Sequence, residues 1–164
     1  MGRWTTRLAT LVGVILALAL VALGAVAGYE YWNRVERTAQ QQARAELPGL
    51  AAQQIPKILG FDYQTVERSR TEAYTLMTPG FRRQYEEDTS KTVIPEARDR
   101  QVISQVNVVG AGLLTAQRNS ASVMVFMNRT VTDKSKQSVY DGSRLRVDYE
   151  KVDGKWLIGN IIPI

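Results

Sequence analysis

The chain contains no cysteine and no histidine among its 164 residues. Without cysteine there is no disulfide, no thiolate nucleophile and no cysteine-ligated metal. Without histidine the commonest general base near neutral pH and the commonest metal ligand are missing. Serine–histidine triads and histidine–carboxylate metal sites are therefore excluded. Charge of one sign is also never concentrated. The 21 basic and 16 acidic residues give a formal charge of +5, and 5 less the two of Arg3 and Arg7 leaves +3 for the remainder. The basic residues beyond position 30 are interleaved with acids and form no cationic run with aromatics, which argues against nucleic acid as a partner.

What is present is one long apolar run. Residues 8–29 carry no charged side chain, matching the roughly 20 residues a helix needs to cross the hydrocarbon core of a bilayer. Arg3 and Arg7 precede the run, and Glu30, Arg34, Glu36 and Arg37 follow it. By the positive-inside rule residues 1–7 form a cytoplasmic tail and everything after the run lies across the membrane. Tyr29, Tyr31 and Trp32 stand at the outer end, where amphipathic rings settle at headgroup level. The expectation is a single-pass inner-membrane protein with a signal-anchor helix over 8–29. The alternative is a secretory signal cleaved after Ala27, since Ala25-Val26-Ala27 is an A-x-A pattern. Gly24 and Gly28, with Ala9 and Gly13, are small residues at four-residue spacing. They are candidates for close helix–helix contact in the membrane.

Residues 30–49 are rich in helix formers. Val35, Ala39, Ala43 and Leu47 recur every four positions, a stripe too thin to bury much area. The reading is a helical stalk, largely a solvated spacer, that continues the membrane helix and stops at Pro48-Gly49. A helix from Leu8 to Leu47 would be about 60 Å long.

Residues 50–164 then form one outer domain of about 115 residues, enough for its own core. Three helical segments come first. Residues 50–59 end at Gly60, with Pro56 bending them. In the second, Asp62 or Thr65 caps the start, with Val66, Ala73, Tyr74 and Met77 inward and Glu67, Arg68, Arg70 and Glu72 outward. The third runs over about 81–91, with Phe81 and Tyr85 inward, until Pro95 interrupts. From Gln101 the pattern is β. Gly110 and Gly112 mark a bulge or bend. Residues 121–130 alternate with both faces partly apolar, which predicts a central strand. Leu145, Val147 and Tyr149 alternate with Arg144, Arg146, Asp148 and Glu150, giving one wet face. Asp153-Gly154 is a hairpin turn before a last strand holding Trp156. Helices followed by strands predict an α+β fold: three helices packed on a curved, four-stranded antiparallel sheet.

Ile58-Leu59-Gly60-Phe61-Asp62-Tyr63, Gly80-Phe81, Tyr85 and the terminal Val152-Asp153-Gly154-Lys155-Trp156-Leu157-Ile158, in that order behind an anchor, resemble the Mce-associated membrane proteins of mycobacteria and related actinobacteria. The resemblance implies an NTF2-like (SnoaL-like) cone outside the membrane. It also implies a non-enzymatic accessory role in Mce lipid importers, with the bilayer, Mce proteins and permease subunits as partners. A lipid inside the cone is compatible with that role. Tyr74, Met77, Met124, Phe126 and Met127 are the candidate apolar lining, being adaptable side chains equally suited to an ordinary core.

No catalytic, cofactor-binding or metal residue is carried over. Asp62, with Tyr63 or Tyr74 as donor, would be the best-placed acid–base group of a cone enzyme, and helix capping is the plainer role for it. Glu86-Glu87-Asp88 are consecutive on a helix and point apart. A VirB8-type scaffold of a secretion or conjugation machine shares the same plan and is the alternative function; a membrane-anchored NTF2-like enzyme is the third.

Overall fold

The computed structural model describes the backbone of residues 3–164 and the side chains of residues 18–164. The chain divides into two compact units, residues 1–38 and 39–164. Helix α1, Arg3–Leu59, contributes to both.

In the first unit Leu18, Leu20, Val21, Leu23 and Val26 are each at least 60% exposed, as are Tyr29, Tyr31 and Trp32. Among the described residues no helix is long and apolar enough to cross a membrane. Residues 8–17 of the apolar run fall outside the described side chains, as do Ala9 and Gly13. At Gly24 and Gly28 an added Cβ would meet nothing within 4 Å.

In the second unit α1 does not stop at Pro48-Gly49. It passes both and ends at Leu59. The reason is the stripe judged too thin. Ala43, Leu47, Ala51, Ile55 and Ile58 are almost fully buried and belong to the main core. Full burial of a leucine or isoleucine is worth about 1.5–3 kcal/mol, which offsets the roughly 3 kcal/mol cost of a proline inside a helix. The segment from 39 to 49 is thus part of the cone and not a solvated spacer.

A sharp turn at Gly60 follows, with Gly60 N–H donating to Pro56 O at 2.8 Å. An added Cβ here would stand 2.5 Å from that same carbonyl oxygen, so no larger residue fits without backbone movement. The chain then forms a short strand β1, Phe61–Asp62, and helix α2, Val66–Tyr74. Thr65 occupies the N-cap but its side chain makes no cap hydrogen bond. Asp62 Oδ1 instead accepts from Gln64 N–H at 2.8 Å, so the expected caps are replaced by a turn.

Helix α3, Pro79–Asp88, is capped by Thr78, whose Oγ1 accepts from Phe81 N–H at 3.4 Å. Its continuation differs from expectation. A π-helical turn, Thr89–Val93, leads into helix α4, Ile94–Arg100. Pro95 does not interrupt: it sits in the first turn of α4, directly after the π-helical turn, and a π turn shifts the i→i−4 ladder that a proline would otherwise break.

The sheet is an antiparallel meander in the order β1-β2-β3-β4-β5, one short strand more than the sequence pattern shows. It comprises β2 Ile103–Ala116, β3 Ser120–Thr132, β4 Ser138–Val152 and β5 Lys155–Pro163. The β2–β3 register shifts between Val108 and Gly110 and again between Leu113 and Thr115, beside the two expected glycines. Strand β3 is central, paired with β2 and β4. Its inner face puts Val123 and Val125 at 0% exposure. Strand β4 buries Leu145, Val147 and Tyr149 and leaves its charged positions on the other face. Asp153 and Gly154 have φ of 49° and 79°, the positive values a two-residue hairpin turn requires. The far edge is partly covered. Thr78 N–H donates to Ile158 O at 2.9 Å, and Ile158 N–H donates to Leu76 O at 2.9 Å.

At the other end of the sheet, Asp133 fastens the β3–β4 turn. Its Oδ1 accepts from Ser135 N–H at 2.9 Å and its Oδ2 from Arg100 Nη2 at 2.9 Å. Hydrogen bonds from Ser135, then the Arg100 guanidinium, lower the carboxyl to about 2, from an ordinary 3.8. A depressed carboxylate contributes stability that is fully present above its ordinary range and is lost as pH falls through the folded value. The turn is therefore expected to hold until the pH drops from about 4 towards 2. A carboxyl-carbon NMR titration of Asp133 checks this, and a midpoint at the ordinary aspartate value would contradict it.

Candidate functional site

The chemistry-bearing residues of the cone do not gather in one place. Asp62 lies on β1 and bonds to the backbone of Gln64, while Tyr63 Oη accepts from Gln64 Nε2 at 3.1 Å. Tyr74 lies on α2 against the main core. Its phenol is raised above its usual value, first by burial and then by Glu86. Its ring packs edge-on to Tyr85, with centroids 6.3 Å apart, and Arg82 sits 5.6 Å from its centroid. Among the described residues no group of three or more acids could hold a metal ion.

The five residues read as an apolar lining separate by strand parity. Tyr74, Met77 and Met127 face the core and are at most 8% exposed. Met124 and Phe126 lie on the opposite face of β3, because successive strand side chains alternate. Phe126 is 44% exposed there. These residues share no single cavity, and the proposed lining is corrected accordingly. Tyr74 and Met77 border an open groove of about 450 Å³ together with Arg82, Arg83 and Glu86. A second cavity, about 380 Å³, lies between α4 and the inner face of the sheet. Phe61, Ala97, Val102 and Val131 form its apolar wall, and Arg100 and Arg129 are its cations.

Arg70 differs from the sequence expectation: its charge predicts a place on the wet face of α2, yet only 3% of it is exposed. Its Nη1 donates to the carbonyl of Ile58 and to Tyr85 Oη at 2.6 Å. Tyr85 Oη in turn donates to Ile58 O at 2.9 Å. The guanidinium carbon lies 4.6 Å from the Phe61 ring centroid and 5.9 Å from that of Tyr85. Ile58 belongs to the last turn of α1, where free carbonyls and the negative end of the helix dipole favour a cation. Arg70 thus ties together α1, β1, α2 and α3. Burial raises the Tyr85 phenol, with Arg70 opposing it, so Tyr85 remains a neutral donor. A second buried polar bond, Tyr149 Oη to Gln54 Oε1 at 3.1 Å, joins β4 to α1. This wiring holds the cone together; it presents no acid–base pair to a substrate.

The surface the domain offers is its outer sheet face and edges. Val109, Leu114, Phe126, Val139, Tyr140 and Ile164 are all more than 40% exposed.

No family model matches the chain. A protein of Mycobacterium tuberculosis named outer membrane protein Rv1973 is 29% identical over 152 residues, spanning 93% of this chain and 94% of the relative. A second protein of that organism, Rv1362c, is 28% identical over 156 residues, spanning 93% of this chain and 71% of the relative. Among solved structures, an IcmL-like type IV secretion system protein from Legionella pneumophila matches with a TM-score of 0.63 at 13% identity, over 74% of this chain and 93% of that one. The periplasmic domain of DotI matches at 0.64 and 8% identity, over 73% and 94%. CagV, a VirB8 homologue from Helicobacter pylori, matches at 0.58 and 9% identity, over 73% and 96%. The cone therefore has an α+β, NTF2-like fold that it shares with these three structures.

Proposed function

We propose that this protein is a non-enzymatic scaffold subunit of a multiprotein machine in the cell envelope. It is anchored by one membrane helix, with its N-terminus in the cytoplasm and its cone outside. The observation that carries this reading is the fold match, which spans more than nine-tenths of the IcmL-like, DotI and CagV chains. The apolar residues of the first unit support it. Side chains such as Leu18, Leu20 and Leu23, exposed as they are, need an apolar surrounding, which a bilayer supplies. Gly24 and Gly28 leave one side of that helix open, and we assign that side to a neighbouring membrane helix.

Within this class of assembly, a VirB8-like secretion or conjugation machine is the partner set that the structural neighbours favour. An Mce-type lipid importer, served as an accessory subunit, is the second reading. The mycobacterial relatives favour it, because the resemblance of the Val152–Ile158 hairpin points to the same bacteria.

Two measurements test the proposal. Carbonate washing should leave the full-length protein in the membrane, and protease added to spheroplasts should digest the cone. Release by carbonate, or a mature start at Gly28, would overturn the anchor. Deleting the gene should then lower the abundance of one coherent set of envelope-machine subunits in the membrane proteome. An unchanged proteome would count against a scaffold.

A further inference from the structure

The open groove beside α2 and α3 is built by one stretch of chain, residues 74–86, and the scaffold reading makes no use of it. Met77 and Pro79 are its apolar part, and Thr75, Arg82, Arg83 and Glu86 its polar part. Tyr74 lines it as well and is only 8% exposed. The Tyr74 ring packs in the main core. After burial, the Glu86 carboxylate acts most strongly on its phenol, so the hydroxyl is the end that meets the groove. Among the described residues that hydroxyl has no hydrogen-bond partner. The contacts of Tyr74 are those of its ring, with Tyr85 and Arg82. A phenol this buried ordinarily has a partner.

The charges around the hydroxyl are unbalanced. Arg83 is exposed and takes no part in the ion pairs or hydrogen bonds of the described residues. Arg82 meets Glu86 at 3.8 Å, with both side chains about half exposed, a weak surface pair. Two guanidinium groups against one carboxylate leave the groove net positive. Pro79 opens α3, whose first turn holds no acid, so the positive end of the helix dipole is not offset there.

We propose that this groove binds a phosphate ester. Arg82 and Arg83 are successive helical residues and project about 100° apart, while Tyr74 donates from another helix. Donors set at angles suit a tetrahedral anion with oxygens in several directions; a flat carboxylate prefers the parallel fork of one guanidinium. The apolar part of the ester rests on Met77 and Pro79. At about 450 Å³ the groove has the size of a small-molecule site, about 300–1,000 Å³, more than a bare phosphate ion fills. Binding turns Arg82 away from Glu86, whose carboxylate then opposes the ligand. The site does not depend on which assembly the chain joins.

The test uses the full chain in dodecyl maltoside micelles, which carry no phosphate, with butyl phosphate as the probe. The Nε–H signals of Arg82 and Arg83 in nitrogen-edited NMR should shift saturably. Butanoate should need at least about tenfold higher concentration. Tyr74→Phe removes a hydroxyl that has no protein partner, so the fold is kept and affinity should fall about threefold to tenfold. Arg83→Gln, read at Arg82, should cost at least about tenfold. Glu86→Gln should tighten binding at least about threefold. Arg68→Gln removes an exposed charge of α2 outside the groove and should change affinity by less than about twofold. Phosphatidylglycerol added to the micelles identifies the source. Shifts already present with the lipid, before any ester is added, mean a lipid headgroup; shifts only once the ester is added mean a soluble compound. Either result places phosphate in the groove. The inference is overturned by no saturable shift with butyl phosphate, by an equal response to butanoate, or by an affinity that Tyr74→Phe and Arg83→Gln leave unchanged. Equal losses for Arg68→Gln and Arg83→Gln would overturn it too, since they describe diffuse charge attraction.

Discussion

Replacing Arg70 with alanine is expected to destabilise the cone by about 3 kcal/mol. The side chain is 3% exposed and holds the last turn of α1 through Ile58 O. Hydrogen bonds to charged groups contribute about 1.5–3 kcal/mol, and a desolvated cation over an aromatic ring up to about 2. Ile58 O keeps its bond from Tyr85 Oη, which prevents a larger loss. Arg70→Met retains the apolar stem against Phe61 and should lose less. Tyr85→Phe should cost about 1 kcal/mol alone. With Arg70→Ala it should show a coupling energy of at least about 0.5 kcal/mol, as expected for residues in one network. Denaturant unfolding of the three single variants and the double variant measures this. A change below about 1 kcal/mol for Arg70→Ala would mean that the arginine is not a structural clamp.

Leu47→Ala is expected to cost about 3 kcal/mol, within the 2–5 that large-to-small core substitutions show. Leu47 is 0% exposed and part of the main core. Tyr31→Ala, in the first unit at 69% exposure, should change stability by less than about 0.5 kcal/mol. The contrast separates the part of α1 that is core from the part that is not. If Leu47→Ala were as silent as Tyr31→Ala, the segment 39–49 would be a spacer after all.

Much of the outer domain is legible in the sequence because its signals are local. Alternation along 121–130 and 144–150, the Asp153-Gly154 turn and the glycines of β2 each act through neighbours one or two residues away. The meander and its register follow from them. What is not legible depends on contacts far along the chain. Proline and glycine at 48 and 49 predict a stop, but helix propensity is a weak prior and the packing of Leu47, Ala51 and Ile55 overrides it. Strand β1 has only two residues, too few to show a period. Arg70 reads as solvated because of its charge, although helical spacing sets it four residues after Val66 and three and four before Ala73 and Tyr74, on the buried face of α2. The carbonyl of Ile58, twelve residues earlier, is the partner that lets a guanidinium be buried there, and no local pattern shows it. Met124, Phe126 and Met127 are alike in chemistry but not in placement, because the period of two sends Met127 to the core and the other two away from it.

The central claim is that the chain works as one subunit of an envelope assembly. Affinity purification of the tagged full-length protein from gently solubilised native membranes, followed by mass spectrometry, tests it most directly. The account predicts stoichiometric recovery of the other subunits of one machine, secretion-type components under the first reading and Mce proteins with their permease under the second. Recovery of the protein alone, from membranes in which those machines are intact, would contradict it.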